Sequence, residues 1–180
     1  MFRWPTMVSV ARLTKLQLAI LCLTPCISVA QTDPRWITGT YRNPALGYSI
    51  KVPDGLKGMT GDQAGPERGV RISLPSGGMI SVWGEPNSLE WKSPEQGVRW
   101  VLRLEKCAAA PQVASASVGK VRGTEGVLVC GDRTLKVLLV FRPGGGPIYW
   151  LRLETASVHK LEDEAALNGV AATFRLIRWQ

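Results

Sequence analysis

From Val113 to Leu153 the chain repeats one pattern. A run rich in β-branched and apolar residues is followed by a connection too short for anything but a reversal. The runs are 113–121, 126–130, 134–141 and 148–153. Gly131-Asp132-Arg133 separates the second from the third, and Pro143-Gly144-Gly145-Gly146-Pro147 the third from the fourth. Connections this short join antiparallel neighbours, because a parallel pair needs a crossover of a dozen residues or more. An antiparallel sheet is therefore the frame around which the rest of the chain must fold.

Earlier segments extend that frame. Tyr48-Ser49-Ile50-Lys51-Val52 alternates as a short strand and stops at Pro53-Asp54-Gly55. Val70, Ile72 and Leu74 alternate with Arg71 and Ser73. Pro75-Ser76-Gly77-Gly78 then turns the chain into a returning strand over 79–83, a hairpin. Residues 31–47 read as turns and residues 56–69 as a long loop, since Gly, Pro, Asn and Asp crowd them.

Two helices complete the reading. Ser93 is an N-cap, Pro94 suits the first helical position and Gln96 has capping-box spacing. Glu95 sits against the positive end of the dipole. This helix is expected to run to Pro111, with Cys107 in its last turn. The second helix spans 160–173, with Glu162, Asp163 and Glu164 as acids near its start. Leu161, Ala165, Leu167, Val170 and Ala171 are available for burial. An antiparallel β-sheet sandwiched by helices is the α+β class.

The first 30 residues have another purpose. Arg3, Arg12 and Lys15 precede an apolar run from Leu16 to Leu23, and Ser28-Val29-Ala30 ends it with small residues. This is the pattern of a secretory signal peptide, with cleavage between Ala30 and Gln31. A membrane span needs about 20 apolar residues. The stretch from Leu16 to Ala30 is shorter and holds Gln17, Thr24, Pro25 and Ser28, so no stable span is expected after processing. Pro25 before Cys26 departs from a lipoprotein signal, which leaves acylation of Cys26 as a minor alternative. The expected organisation is a signal peptide over 1–30 and a single domain over 31–180, periplasmic or secreted.

Removing residues 1–30 lowers Lys+Arg from 22 to 19 and leaves Asp+Glu at 14, a net charge of +5. Arg99, Arg103 and Lys106 form the one notable cluster. Nucleic-acid binding asks for denser basic clustering and is not expected. Only Cys107 and Cys130 remain, an even number in an oxidising compartment, so a structural disulfide is expected. Closing this loop stabilises the fold by about 3 kcal/mol in the chain-entropy model.

The element order resembles the PsbP-like family. An early motif, Leu46-Gly47-Tyr48-Ser49-Ile50-Lys51-Val52-Pro53, opens the domain with an aromatic, a short strand and a proline. A helix, a run of antiparallel strands and a C-terminal helix ending at Phe174 follow it. The resemblance implies a helix–sheet–helix arrangement and a binding or assembly role rather than an enzymatic one.

Few residues point to chemistry. His159 is the only histidine. No G-x-S-x-G elbow is present, and a triad or zinc site asks for more than one histidine and two paired cysteines offer. Gly144-Gly145-Gly146 lacks the Lys-Ser/Thr and following helix of a phosphate loop. No cofactor or metal is expected. Glu85, Glu90 and Glu95 are the carboxylates for a hydrolase reading, which needs a defined separation that spacing alone does not supply.

The tryptophans are the unusual feature. Trp100 and Trp150 fall on regular elements and are expected in the core. Trp83 and Trp91 flank Gly84-Glu85-Pro86-Asn87-Ser88, as core rim or as a binding platform. The leading reading is a non-enzymatic binding or accessory domain with a protein or carbohydrate ligand in the cell envelope. A carboxylate-based hydrolase acting on cell-wall or polysaccharide material, and an envelope assembly or stress factor binding through a sheet edge, are the alternatives.

Overall fold

A computed structural model describes residues 35–61 and 69–178. The expected signal peptide with Cys22, Cys26 and the expected Ala30–Gln31 cleavage site, and Trp179 near the C-terminus, lie outside the described residues. The strands are β1 (Arg35–Ile37), β2 (Thr40–Asn43), β3 (Tyr48–Lys51), β4 (Gly58–Thr60), β5 (Gly69–Ser73), β6 (Met79–Pro86), β7 (Gln112–Val118), β8 (Val121–Cys130), β9 (Arg133–Phe141), β10 (Pro147–Ala156) and β11 (Arg175–Leu176). Helix α1 is Pro94–Leu104 and α2 is Lys160–Thr173, preceded by one 3-10 turn at Ser157–His159.

Eight strands form one antiparallel sheet in the order β1-β4-β5-β6-β10-β9-β8-β7, and β11-β3-β2 form a second, smaller one. The β7–β10 meander folds back until β10 lies beside β6, with Trp150 opposite Trp83. Reaching β7 from β6 means crossing β10, β9 and β8, and α1 makes that crossing. The chain then leaves β10 through α2 and returns Arg175 and Leu176 to pair with β3.

Strand β9 shows why the core divides in two. Successive side chains point to opposite faces of a sheet. Leu138 and Val140 join Tyr48, Tyr149, Leu151, Phe174 and the α2 residues Leu167 and Val170 in one cluster. Leu135, Val137 and Leu139 join Ile148, Trp150 and the α1 residues Val98 and Leu102 in the other. Each cluster thus uses a single helix. The fold is a mainly antiparallel sheet with two helices, and a three-stranded sheet contributes Tyr48 and Ile50 to the α2 cluster. Two separate helices are less than the helical layers expected from the element order.

The α2 cluster is aromatic at its centre. Tyr48 stacks on Phe174 with ring centroids 5.9 Å apart, and Tyr149 meets Phe174 edge-on at 5.3 Å. The Tyr149 hydroxyl donates to the Leu46 carbonyl at 2.8 Å. Burial pushes the Tyr48 hydroxyl well above the ordinary phenolic range, and it raises Tyr41 too.

Several sequence expectations need correction. The turn-rich residues 31–47 contain β1 and β2, and the loop over 56–69 contains β4. These strands are three or four residues long, and sheet pairing rather than alternation defines them. The predicted strand over 113–121 is two strands, because Gly119 takes a positive φ of 58° and turns the chain. Helix α1 stops at Leu104, well before Pro111, since Lys106 adopts a φ of 48°. Cys107 therefore lies beyond the helix. Leu161 is 84% exposed. Asp163 is buried: it accepts hydrogen bonds from Ser76 Oγ at 2.8 Å and from Thr155 Oγ1, so it latches α2 to the β5–β6 turn. Glu164 meets Lys136 at 3.6 Å. Of the three acids, then, two hold α2 in place through tertiary contacts.

Candidate functional site

The α1 side of the large sheet carries a chain of four indoles. Trp83 stacks on Trp150 at 5.8 Å, Trp91 meets Trp150 edge-on at 5.7 Å, and Trp91 meets Trp100 at 5.6 Å. Trp150 is fully buried, and its Nε1 donates to Glu85 Oε1 at 2.7 Å. A buried indole N–H needs such a partner. Trp83 and Trp91 are half-buried, each with Trp150 against it. Trp100 is 44% exposed. That corrects its expected place in the core, because α1 turns Val98 and Leu102 inward instead.

Local chemistry fixes these rings. The Asn87 side chain donates to the Trp91 carbonyl at 2.9 Å and accepts from the Trp91 N–H at 3.0 Å. The turn places Glu90 at a φ of 51°. Ser93 caps α1 by accepting from the Gln96 N–H at 3.4 Å. Gln96 Oε1 reaches back to the Lys92 N–H at 2.8 Å, a reciprocal cap shifted by one residue from the expected capping box. Gly97 lets the helix sit close: a Cβ there would meet Leu139 at 2.5 Å and Trp91 at 2.9 Å.

The far end of α1 is fastened as firmly. Glu105, just past the helix, accepts from Arg133 at 2.8 Å and from Arg152 at 3.0 Å. Two residues on, Cys107 is bonded to Cys130 of β8, with Cα atoms 5.7 Å apart.

The outer surface of α1 carries Trp100 and Leu104, which is 57% exposed. Residues four apart are neighbours on a helix surface, so these two make one apolar stripe. Arg99 and Arg103 are exposed on the same helix, and Lys106 is exposed just past its end. Arg99 pairs with Glu95 at 2.8 Å, whereas Arg103 and Lys106 have no ion-pair partner among the described residues. Arg99 and Arg103 of the sequence cluster thus share α1 with the exposed tryptophan, and Lys106 lies just past the end of the helix.

The other candidates are not brought together. Glu85 is occupied by Trp150, Glu95 by Arg99, and Glu90 sits exposed on the turn. His159 lies in the 3-10 turn before α2, half-buried, with no side-chain cap. Among the described residues no three His, Cys, Asp or Glu side chains gather as metal ligands. No helix among them is long and apolar enough to cross a membrane. Gly144 and Gly145 lie in the β9–β10 connection, both at positive φ.

No family model matches the chain, and no curated protein sequence matches it. Solved structures do. The chain is similar to cyanobacterial PsbP (CyanoP) from Synechocystis, with 14% identity over 86% of this chain and 98% of that one, at a TM-score of 0.51. The fold is PsbP-like. Two further structures overlap it at a TM-score of 0.44: LpqN, involved in cell envelope biogenesis of Mycobacterium tuberculosis, and a Bacteroides thetaiotaomicron protein. LpqN is 13% identical, over 81% of this chain and 92% of its own. The Bacteroides protein is 10% identical, over 78% and 49%.

Proposed function

We propose that the protein is a non-enzymatic binding or accessory domain, working in the periplasm or as a secreted protein once residues 1–30 have been removed. The observation that carries this reading is the outer face of α1. Trp100 and Leu104 are exposed with Arg103 on a helix fastened at both ends, and Lys106 is exposed just past its C-terminus. An exposed aromatic on a fixed support gives contact area at little entropic cost, and adjacent cations select an anionic ligand. The ligand is then an anionic protein or polysaccharide surface of the cell envelope.

Binding of the intact protein to a native envelope fraction tests this reading. Trp100→Ala and Arg103→Glu are each expected to weaken retention, with folding unchanged by circular dichroism. Retention that ignores both substitutions would remove α1 as the contact. Intact mass of the exported protein is expected to begin at Gln31; a mass retaining residues 1–30 would overturn the address.

A further inference from the structure

Among the described residues, the large sheet ends in β1 on one side and β7 on the other. An edge strand presents backbone N–H and C=O groups with no strand beside them, and folded proteins blunt such rows with brevity, charge or proline. β1 is three residues long and begins with Arg35. The edges of the small sheet are a two-residue β11 that begins with Arg175 and a four-residue β2 that contains Arg42. β7 differs from all three. It is seven residues long, reads QVASASV, and has neither charge nor proline. Gln112, Ala114, Ser115 and Ser117 are exposed.

Two hollows flank the middle of this strand. One, of 530 Å³, is lined by Ser115, Ala116, Ser117, Arg122 and Gly123. Arg122 has no ion-pair partner among the described residues. The other, of 380 Å³, shares Ser115, Ala116 and Ser117 with it and runs toward α2; Leu138, Ala171 and Ala172 add apolar lining, and Asn168 and Glu125 add polar lining. Lys136 already neutralises Glu125, at 3.2 Å.

We infer that β7 is a docking edge that takes an extended segment of another protein as an added strand, in which acidic and apolar residues alternate. The unpaired edge recognises an extended backbone. The side chains of an added strand point alternately to the two sides of the sheet. On one side they meet a free guanidinium and two hydroxyls, which select a carboxylate. On the other they meet small apolar residues, which select an aliphatic group. A second copy of this chain fits less well, because its own β7 has no acid to offer Arg122. This site goes beyond the α1 face and does not depend on it.

The probe is a capped heptapeptide alternating glutamate and valine, titrated into the full chain while backbone amide shifts are followed. Saturable binding with shifts at residues 112–118 and 122 is expected. Methylating alternate peptide nitrogens should abolish it. Arg122→Glu should weaken it by about tenfold, and a lysine–valine peptide should then bind the variant. Ala114→Glu, which sets a carboxylate against those of the peptide, should block the peptide while leaving circular dichroism unchanged; Ser115→Glu serves if that variant fails to fold. Trp100→Ala should leave peptide affinity as it was. Absence of saturable binding, shifts elsewhere, or indifference to Arg122→Glu would overturn the inference. So would a concentration-dependent dimer that Ala114→Glu dissolves, since that assigns the edge to a second copy.

Discussion

The two faces of the large sheet bury their residues in different ways. The α2 face is closed by a helix and by the small sheet, and its aromatics Tyr48, Tyr149 and Phe174 are fully buried. The α1 face has one eleven-residue helix, a smaller cluster and tryptophans that run from full burial at Trp150 to exposure at Trp100. It is held instead by discrete fasteners: a disulfide, the ion pairs of Glu105, and the Asn87 clamp. A face secured by packing has little surface left to offer. One secured by a few strong points at its ends can leave the middle of its helix open to a ligand.

Truncating the closed face should cost most. Phe174→Ala removes a ring that touches both Tyr48 and Tyr149 and is expected to lower stability by about 3–5 kcal/mol in denaturant unfolding. The same core is sensitive to alkali. Folded-state burial holds Tyr48 and Tyr41 protonated above the pH at which they ionise in the unfolded chain. Their contribution is therefore complete below about pH 10 and lost as pH rises beyond it. Stability that stays level across that range, measured beside tyrosinate absorbance, would contradict it.

Removing the staple tests the open face. Cys107→Ser combined with Cys130→Ser should cost about 3 kcal/mol and raise tryptophan quenching by acrylamide, while the α2 cluster stays protected from hydrogen exchange. Equal loss of protection on both faces would show that they unfold as one unit. Gly97→Ala should cost roughly 1–3 kcal/mol, because its methyl meets Leu139 and Trp91. The smallest effect is expected at Trp100→Ala, about 1 kcal/mol or less in stability, since one indole contact is lost. A large loss there would make Trp100 part of the core rather than a contact surface.

Much of this arrangement is legible in the sequence. Alternation and short connections announce the meander, Ser93-Pro94 announces the start of α1, and the two cysteines announce their pairing. Strand β4 is hidden because Gly58-Met59-Thr60 has no alternation to read. Its end-of-sheet pairing with β1 and β5 defines it. The end of α1 is hidden because Leu104-Glu105-Lys106-Cys107 contains only good helix formers and a cysteine. The bonds of Glu105 to β9 and β10 and of Cys107 to β8 accompany the break. Asp163 looks like a dipole acid until Ser76, 87 residues away, and Thr155 of β10 are seen to donate to it.

The sequence by itself determined the antiparallel frame, the two helices and the cysteine pair, because these rest on local periodicity, caps and counting. Tertiary structure alone decided which tryptophan is buried and which is open, that Arg103 and Lys106 lack ion-pair partners among the described residues, and that β7 ends the sheet those residues form. These are properties of how distant segments meet. Strand order and helix rotation set them, and neither is written in the spacing of neighbouring residues.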